Sequence, residues 1–416
     1  MNLLFIHANY PAQFRNLAFA AGQRKKGNVF FLTKEDYPNK WSMDGVEVVT
    51  YKLPRAVRPD AHHYLKPTEL AVLTGQAVTR ALHDMMQGGF RPDVIIYHAG
   101  NGLGLFVKDL FPNAKCIGYF EWYFTPSTSR YLVPKFSFDL QLATNLRNLP
   151  ILSELSSCDV AVVPTEWQKS QFPMEFQDKL QVIFDGIDLT FFSPDLSVRQ
   201  QVLELPGFES GSTAILDPQD LILTYATRGM EPLRGFPQFM RMLPRLLGSF
   251  PELKVVIAGQ DRAAYSYKSP GHGGSWRKTM LAELAGRGDV DLTRIHFSGL
   301  LNYPQYRRLL QRSDLHCSFT RPYVMSWSVV EAAACAAPLA LAEGPATAMM
   351  QSRSRCQIDL DGEPEQEAHK LEVILAERLE ERKQEALSGC PTGWAPMPDS
   401  LSIPSSLRAW QRLLSS

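Results

Sequence analysis

Short runs of apolar, β-branched residues recur along this chain, separated by helical patterns, and that alternation leaves few folds open. N-L-L-F-I-H (2–7), N-V-F-F-L-T (28–33), V-E-V-V-T-Y (46–51), D-V-I-I-Y-H (93–98), A-K-C-I-G-Y-F (114–120) and D-V-A-V-V-P (159–164) have the length and content of strands buried on both faces. Helical patterns at 12–25, 68–87 and 101–111 lie between several of them. Such alternation with short connections builds a parallel, doubly wound sheet. A turn-rich break follows at D-G-I-D-L-T-F-F-S-P-D (185–195), and residues 207–218 are rich in Gly, Ser and Pro, as linkers and surface loops are. The alternation then restarts with D-L-I-L-T-Y-A (220–226), L-K-V-V-I-A-G (253–259), R-I-H-F-S-G (294–299), D-L-H-C-S-F (314–319) and P-L-A-L-A (338–342), with helical patterns at 237–247, 276–285, 303–312 and 328–336.

The chain is therefore expected to be α/β, with two doubly wound, Rossmann-like domains at 1–190 and 195–395. At 416 residues each domain has room for its own core. The segment S-L-R-A-W-Q-R-L-L (406–414) reads as a short amphipathic helix after a Pro-rich connection, and 404–416 is assigned to the first domain. In doubly wound sheets ligands bind beyond the carboxyl ends of the strands, so a cleft between two such domains is the expected site.

Charge and cysteine usage narrow the class. Lys+Arg and Asp+Glu balance at 43 each, so no global field favours nucleic acid, and an anion site has to be local. The six cysteines include no C-x-x-C pair and read as thiols of a reducing compartment. The N-terminus lacks the basic and long apolar regions of a signal peptide, and no apolar run reaches the ~18 residues of a membrane span. A cytoplasmic protein is expected. Peripheral contact at the inner membrane face stays open, because Arg24, Lys25, Lys26, Arg55, Arg58 and Lys66 are basic; a solvated surface explains them equally well.

Three segments of the second half carry candidate chemistry. In Y-A-T-R-G-M-E-P-L-R-G-F (225–236), Arg228 and Arg234 flank a loop between a strand end and a helix start. Two guanidiniums beside free N–H groups at a helix N-terminus suit a diphosphate; the plain alternative is two solvated loop arginines. In R-P-Y-V-M-S-W-S-V-V-E-A-A-A (321–334), Glu331 is the one acid of an apolar run. Ser328-x-x-Glu331 has capping-box spacing, so its carboxylate either closes a helix start or holds a ligand. R-A-A-Y-S-Y-K-S-P-G-H-G-G-S-W-R-K (262–278) is a glycine-rich loop able to stack a base and touch phosphates, or merely a mobile loop. In the first half, His98 closes a strand and precedes Gly100, Gly102 and Gly104. A G-x-G there, with Glu121 about twenty residues on, partly resembles a dinucleotide fingerprint, but Leu105 occupies the third glycine position and this is not the first strand. Asp289-Val290-Asp291 and Asp359-Leu360-Asp361 match a three-letter D-x-D metal pattern that arises readily by chance. No zinc spacing, Walker loop or nucleophile elbow is present.

Taken in order, these parts resemble the GT-B glycosyltransferases, and among them the retaining nucleotide-sugar enzymes of family 4. Phe184-Asp185-Gly186-Ile187-Asp188 with Phe192-Ser193-Pro194 resembles that family's turn between domains. Thr227-Arg228…Arg234-Gly235 is similar to its donor-phosphate motif, Val256-Ile257-Ala258-Gly259 to its hydrophobic-glycine strand, and Val329 to Pro338 to its L-E-A-M-A-C-G-x-P segment. The resemblance implies a GT-B fold and a retaining transferase that moves a sugar from a nucleotide-diphosphate donor to an acceptor hydroxyl, in polysaccharide or glycoconjugate synthesis, with no metal and no further cofactor. Arg228 and Arg234 would neutralise the diphosphate, with Gly229 beside them. Glu331 would accept from the ribose hydroxyls, since a carboxylate suits a vicinal diol. His98 would contact the donor sugar or reacting centre.

Two departures mark this chain. Tyr323 stands eight residues before Glu331, where the family's first glutamate touches the donor sugar, so the loop Tyr323, Val324, Met325, Ser326 and Trp327 has to bind the sugar differently. The family's N-terminal G-G loop is replaced by Asn9–Arg15, which puts Tyr10 and Gln13, with Gly100, on the acceptor side. Two other classes remain in play: a nucleotide-sugar epimerase on the same architecture, and a non-catalytic nucleotide-sugar-binding protein. Donor base, sugar, acceptor, linkage and oligomeric state are not encoded in any readable motif.

Overall fold

The computed structural model describes residues 1–36, 42–209 and 211–415. Its contacts divide into two compact units: Met1–Ser129, Lys135–Gly186 and Asp399–Ser416 form the first, and Arg130–Pro134 with Ile187–Pro398 the second. The main boundary falls between Gly186 and Ile187, inside the turn-rich stretch.

The first unit is built on β1 (Leu3–Ile6), α1 (Arg15–Gln23), β2 (Val29–Lys34), β3 (Glu47–Tyr51), α2 (Lys66–Gln87), β4 (Val94–His98), α3 (Val107–Leu110), β5 (Lys115–Tyr119), α4 (Pro126–Ser129), α5 (Phe138–Arg147), α6 (Leu149–Ser157), β6 (Val160–Val163), α7 (Glu166–Lys169) and β7 (Leu180–Val182). The seven strands pair in parallel in the order β3-β2-β1-β4-β5-β6-β7. Every residue of β1 and β4 is buried, as near-continuous apolar runs require when helices cover both faces. One expected element differs. The helical pattern at 101–111 yields only α3, because Gly100 and Gly102 take φ values of +96° and +83° and turn the chain first.

The second unit starts with a hairpin, β8 (Leu203–Pro206) against β9 (Thr213–Leu216), within the segment whose Gly and Ser content suggests a linker. Then come β10 (Leu221–Thr227), α8 (Phe236–Ser249), β11 (Leu253–Gly259), α9 (Trp276–Arg287), β12 (Ile295–Gly299), α10 (Tyr303–Arg312), β13 (Leu315–Ser318), α11 (Trp327–Ala334), β14 (Leu339–Ala342), β15 (Ser354–Ile358) and α12 (Pro364–Ser388). Its six-stranded sheet, also parallel, runs β12-β11-β10-β13-β14-β15. Helix α8 lays Phe236, Phe239, Met240, Leu243 and Leu246 on the sheet and is the centre of the largest core. The chain closes with α13 (Ile403–Ser415), which returns to the first unit and buries Trp410 and Leu413 beside Phe14 and Leu17 of the α1 region.

Each unit is thus α/β, with the doubly wound, Rossmann-like parallel sheet expected of it. Among the described residues no helix is long and apolar enough to cross a membrane. At the amino end of β13, Asp314 is fully buried, accepting from Arg199 at 2.7 Å, Arg312 at 3.2 Å and the Ile222 amide at 2.8 Å, with Arg382 3.6 Å away. That network ties the feet of β10 and β13 to α10 and α12, at the amino end of the sheet's central strands.

Candidate functional site

A doubly wound sheet opens where its strand order reverses, because the loops from the two central strands leave in opposite directions. In the second unit that point lies between β10 and β13; in the first, between β1 and β4. The loops after these four strands carry most of the residues singled out in the sequence.

After β10 the chain presents Arg228 and Gly229, then Arg234 and Gly235. Gly235 takes φ +68° and a Cβ there would lie 2.4 Å from the Phe319 carbonyl oxygen, so glycine lets this loop touch the one after β13. Arg234 is buried, unlike a solvated loop arginine. Its Nη1 donates to Thr320 Oγ1 and to the Val324 carbonyl, each at 3.1 Å, and its own carbonyl accepts from Tyr225 Oη at 2.7 Å. Arg228 donates to Tyr265 Oη at 3.1 Å, and both guanidiniums stand over the Tyr265 ring, at 5.8 Å and 5.3 Å from its centroid. Tyr323 completes the group, its ring centroid 5.5 Å from that of Tyr265. Two cations and two aromatic rings from three loops therefore converge at the switch point.

Glu231 makes that convergence possible, and no sequence pattern marks it. Fully buried, its Oε2 accepts from the successive amides of Ala264, Tyr265 and Ser266 at 3.0, 2.9 and 2.7 Å and from Ser266 Oγ at 3.0 Å. Three adjacent N–H groups curled round one carboxylate form an anion nest, which pins the start of the 262–278 loop and aims Tyr265 at the arginines. The rest of that loop is held as well: Trp276 Nε1 donates to the Tyr267 carbonyl at 2.9 Å, and Ser275 Oγ to Asp261 at 2.6 Å. Changing Glu231 to alanine should cost about 1–3 kcal/mol for each amide left without an acceptor or water. Limited proteolysis will read it as new cleavage within 262–275; wild-type resistance would mean other contacts hold the loop.

Helix α11 begins one residue before the expected position, and its cap is Ser326, whose Oγ accepts from the Ser328 amide at 3.4 Å and lies 2.8 Å from Ser328 Oγ. Ser328 is inside the helix and Glu331 a turn further on, so the capping-box alternative for Glu331 does not hold. Its buried carboxyl faces the Tyr306 hydroxyl of α10, whose pKa is raised by burial and then by the Glu331 charge. Met325 is buried, while Trp327 is over a third exposed. Arg321 pairs with Asp361 at 2.8 Å. Asp359 accepts the Asp361 amide, Asp289 pairs with Arg287 and Asp291 accepts the Thr293 amide, so both D-x-D stretches are occupied in local structure. Among the described residues no group of three or more His, Cys, Asp or Glu side chains is placed to hold a metal ion.

In the first unit, His98 at the end of β4 and His7 just after β1 meet with ring centroids 4.5 Å apart. Glu121, after β5, links two residues picked out separately in the sequence: its Oε2 lies 3.4 Å from His98 Nε2, and its Oε1 accepts from Gln13 Nε2 at 3.2 Å. Tyr10 is fully buried, its ring edge-on to Phe31 at 4.8 Å, and belongs to the core. The glycines after His98 have specific partners. Gly104 packs where a Cβ would meet the Tyr97 ring, and the amides of Gly100 and Gly104 donate to Glu154 of α6 at 2.5 and 2.8 Å. That loop is shaped round a buried acid, not a dinucleotide.

Residues 25–192 match the family model described as Glycosyl transferase family 4 group, whereas the motifs most legible in the sequence lie in the second half. No curated protein sequence matches the chain. Among solved structures, it is similar over its whole length to HepE of Anabaena in complex with UDP-glucose, at 13% identity, 99% coverage of that chain and a TM-score of 0.63. It is similar, again over its whole length, to a sucrose-phosphate synthase from Thermosynechococcus elongatus, at 12% identity, 100% coverage of that chain and a TM-score of 0.66. The catalytic domain of starch synthase IV of Arabidopsis thaliana, bound to ADP and acarbose, matches at 13% identity over 100% of this chain and 98% of that one, with a TM-score of 0.61.

Proposed function

We propose that this chain, a GT-B protein of glycosyltransferase family 4 type, transfers a sugar from a nucleotide-diphosphate donor to an acceptor hydroxyl, with retention of configuration and without a metal. The observation that carries the reading is the pairing of Arg228 and Arg234 at the β10–β13 switch point, one of them buried and oriented by the neighbouring loop. A diphosphate placed there meets two guanidiniums and the N-terminus of α8.

Each step follows from those groups. As the bond from the sugar to the diphosphate breaks, negative charge grows on the leaving phosphate, and the two guanidiniums stabilise it where a metal would otherwise act. The acceptor hydroxyl attacks from the face the diphosphate leaves. A leaving-phosphate oxygen takes its proton, so no protein nucleophile is needed. Glu331 accepts from the ribose diol, and His98 contacts the sugar. Tyr323 and the 324–327 loop take the place of the family's first glutamate, with backbone N–H groups, Ser326 Oγ and the Tyr323 hydroxyl as sugar ligands. HepE was solved with UDP-glucose, which makes UDP-sugars the first donors to try.

A thermal-shift screen against UDP-, GDP-, ADP- and TDP-sugars should show one donor series raising the melting temperature, since a ligand that binds only the native state stabilises it by mass action. Arg228→Ala should weaken that donor in calorimetry while leaving the unliganded melting temperature near wild type, and Glu331→Gln, which keeps the volume and an acceptor oxygen facing the buried Tyr306 hydroxyl, should weaken it as well. Wild-type affinity in both variants would remove them from the donor site. Nucleotide released only with an acceptor present identifies a transferase; donor sugars interconverted without acceptor would identify an epimerase instead.

A further inference from the structure

Glu154 has no place in the chemistry above, yet it is the most deeply buried acid of the first unit's switch point. It sits on α6 among Ile151 and Leu155 with no exposed surface. No cation pairs with it among the described residues. Its partners are backbone amides: Gly100, two residues after His98, donates to Oε2 at 2.5 Å, and Gly104 donates to Oε1 at 2.8 Å. The Tyr97 hydroxyl reaches the Glu154 carbonyl at 3.3 Å, so the residue before His98 is tied to the same helix turn. His98 itself is buried, and its Nε2 makes no hydrogen bond, with Glu121 at 3.4 Å. With no hydrogen bond at Nε2, the imidazole is set by its flanking backbone, by ring packing on His7 and Tyr119 and by the nearby Glu121 carboxylate.

We infer that Glu154 is the positioning residue for His98: accepting both glycine amides, its carboxylate holds the loop that sets the imidazole, and its protonation releases that loop. A neutral carboxyl has one hydroxyl oxygen, a poor acceptor facing an N–H group, so one of the two amides loses its partner. The titratable groups around it are His98 and Tyr97 on β4, with Cys116 of β5 and Cys158 at the end of α6 around the Tyr97 hydroxyl. Burial keeps Tyr97, Cys116 and Cys158 protonated. Burial likewise pushes the Glu154 carboxyl up to about 7, partly offset by the two amides and His98. Because the folded value is raised, this group's contribution to global stability is complete below the ordinary glutamate range and is lost as pH rises through about 7. Ionisation therefore costs the fold something, and what it secures is the local geometry at His98.

The catalytic half of this inference rests on the glycosyl-transfer reading; the structural half does not. Hydrogen exchange of peptides spanning 99–106, corrected for intrinsic rates and referenced to α2, separates them. In wild type, protection should fall about tenfold between about pH 8 and about pH 6, the worth of one charge-assisted hydrogen bond. Glu154→Gln, which offers one acceptor oxygen, should exchange fast at every pH, with kcat lowered, KM for the donor unchanged and the acid limb of the kcat profile flattened. Wild-type protection independent of pH overturns the proposal, and that measurement decides even if the variant fails to fold. The expected exchange without transfer from any donor would retire the transferase reading and leave the positioning role standing.

Discussion

Replacing Asp314 with alanine will destabilise the second unit by about 3–5 kcal/mol, the usual cost of breaking a buried ion network on one side. Arg312 is fully buried and loses its carboxylate while remaining charged; Arg199, nearly as buried, loses its 2.7 Å partner and keeps only Glu385 at 3.9 Å. Arg312 keeps the carbonyls of Asp217, Pro218 and Asp220, which hold it in place without neutralising it. The Ile222 amide also loses its acceptor at the foot of β10. Asp314→Asn should be milder, because the amide oxygen still accepts from Ile222. Burial alone would raise the Asp314 pKa; Arg199, Arg382 and Arg312 outweigh it and hold it below the ordinary value. The network's contribution is therefore present above the ordinary aspartate range and is lost only as pH falls through the lowered folded value. Urea unfolding at neutral pH reads the effect directly, and a midpoint unchanged by Asp314→Ala would show that the arginines are solvated in the native state. Since the network lies at the opposite end of the strands from Arg228 and Arg234, donor affinity should survive in whatever fraction remains folded.

Arg234→Ala carries the largest expected effect on binding. A charged hydrogen bond to phosphate is worth about 1.5–3 kcal/mol, so donor affinity should fall about 10- to 150-fold. Part of that loss is indirect, because Arg234 also donates to Thr320 and Val324 and so orders the loop that leads to Tyr323. Arg234→Lys tells the two apart. Lysine restores a point charge but has a single nitrogen, which the diphosphate and the two loop acceptors held by Arg234 Nη1 must share, so it should recover part of the affinity for free nucleotide diphosphate and less of the affinity for the sugar donor. Calorimetry with both ligands makes the comparison. If Arg234→Ala bound both as tightly as wild type, the diphosphate would have to sit elsewhere.

The architecture was legible because strands buried on both faces announce themselves as unbroken apolar runs, such as residues 94–97 and 255–258. Helix α12 was not, because its core-facing stripe of Ala368, Leu371, Ile374 and Leu375 is dispersed among glutamates, lysines and arginines. The hairpin of β8 and β9 was hidden by the Gly and Ser of its own turn. At the site, Arg228, Arg234 and His98 stood out because they flank strand ends. Glu231 and Glu154 did not, since each serves backbone amides that no spacing rule ties to it. Glu154 did leave a trace: it is a lone acid inside the apolar stretch I-L-S-E-L, where an unpaired charge needs a reason.

The return of α13 to the first unit has a consequence for how the protein is made. Ile187–Pro398 is an insertion, in chain order, between two parts of one folding unit. During synthesis the apolar surface that Trp410 and Leu413 will cover beside Phe14 and Leu17 stays open until the entire second unit has left the ribosome. The first unit, although begun earlier, is completed only when α13, which follows the whole of the second unit in chain order, docks on it.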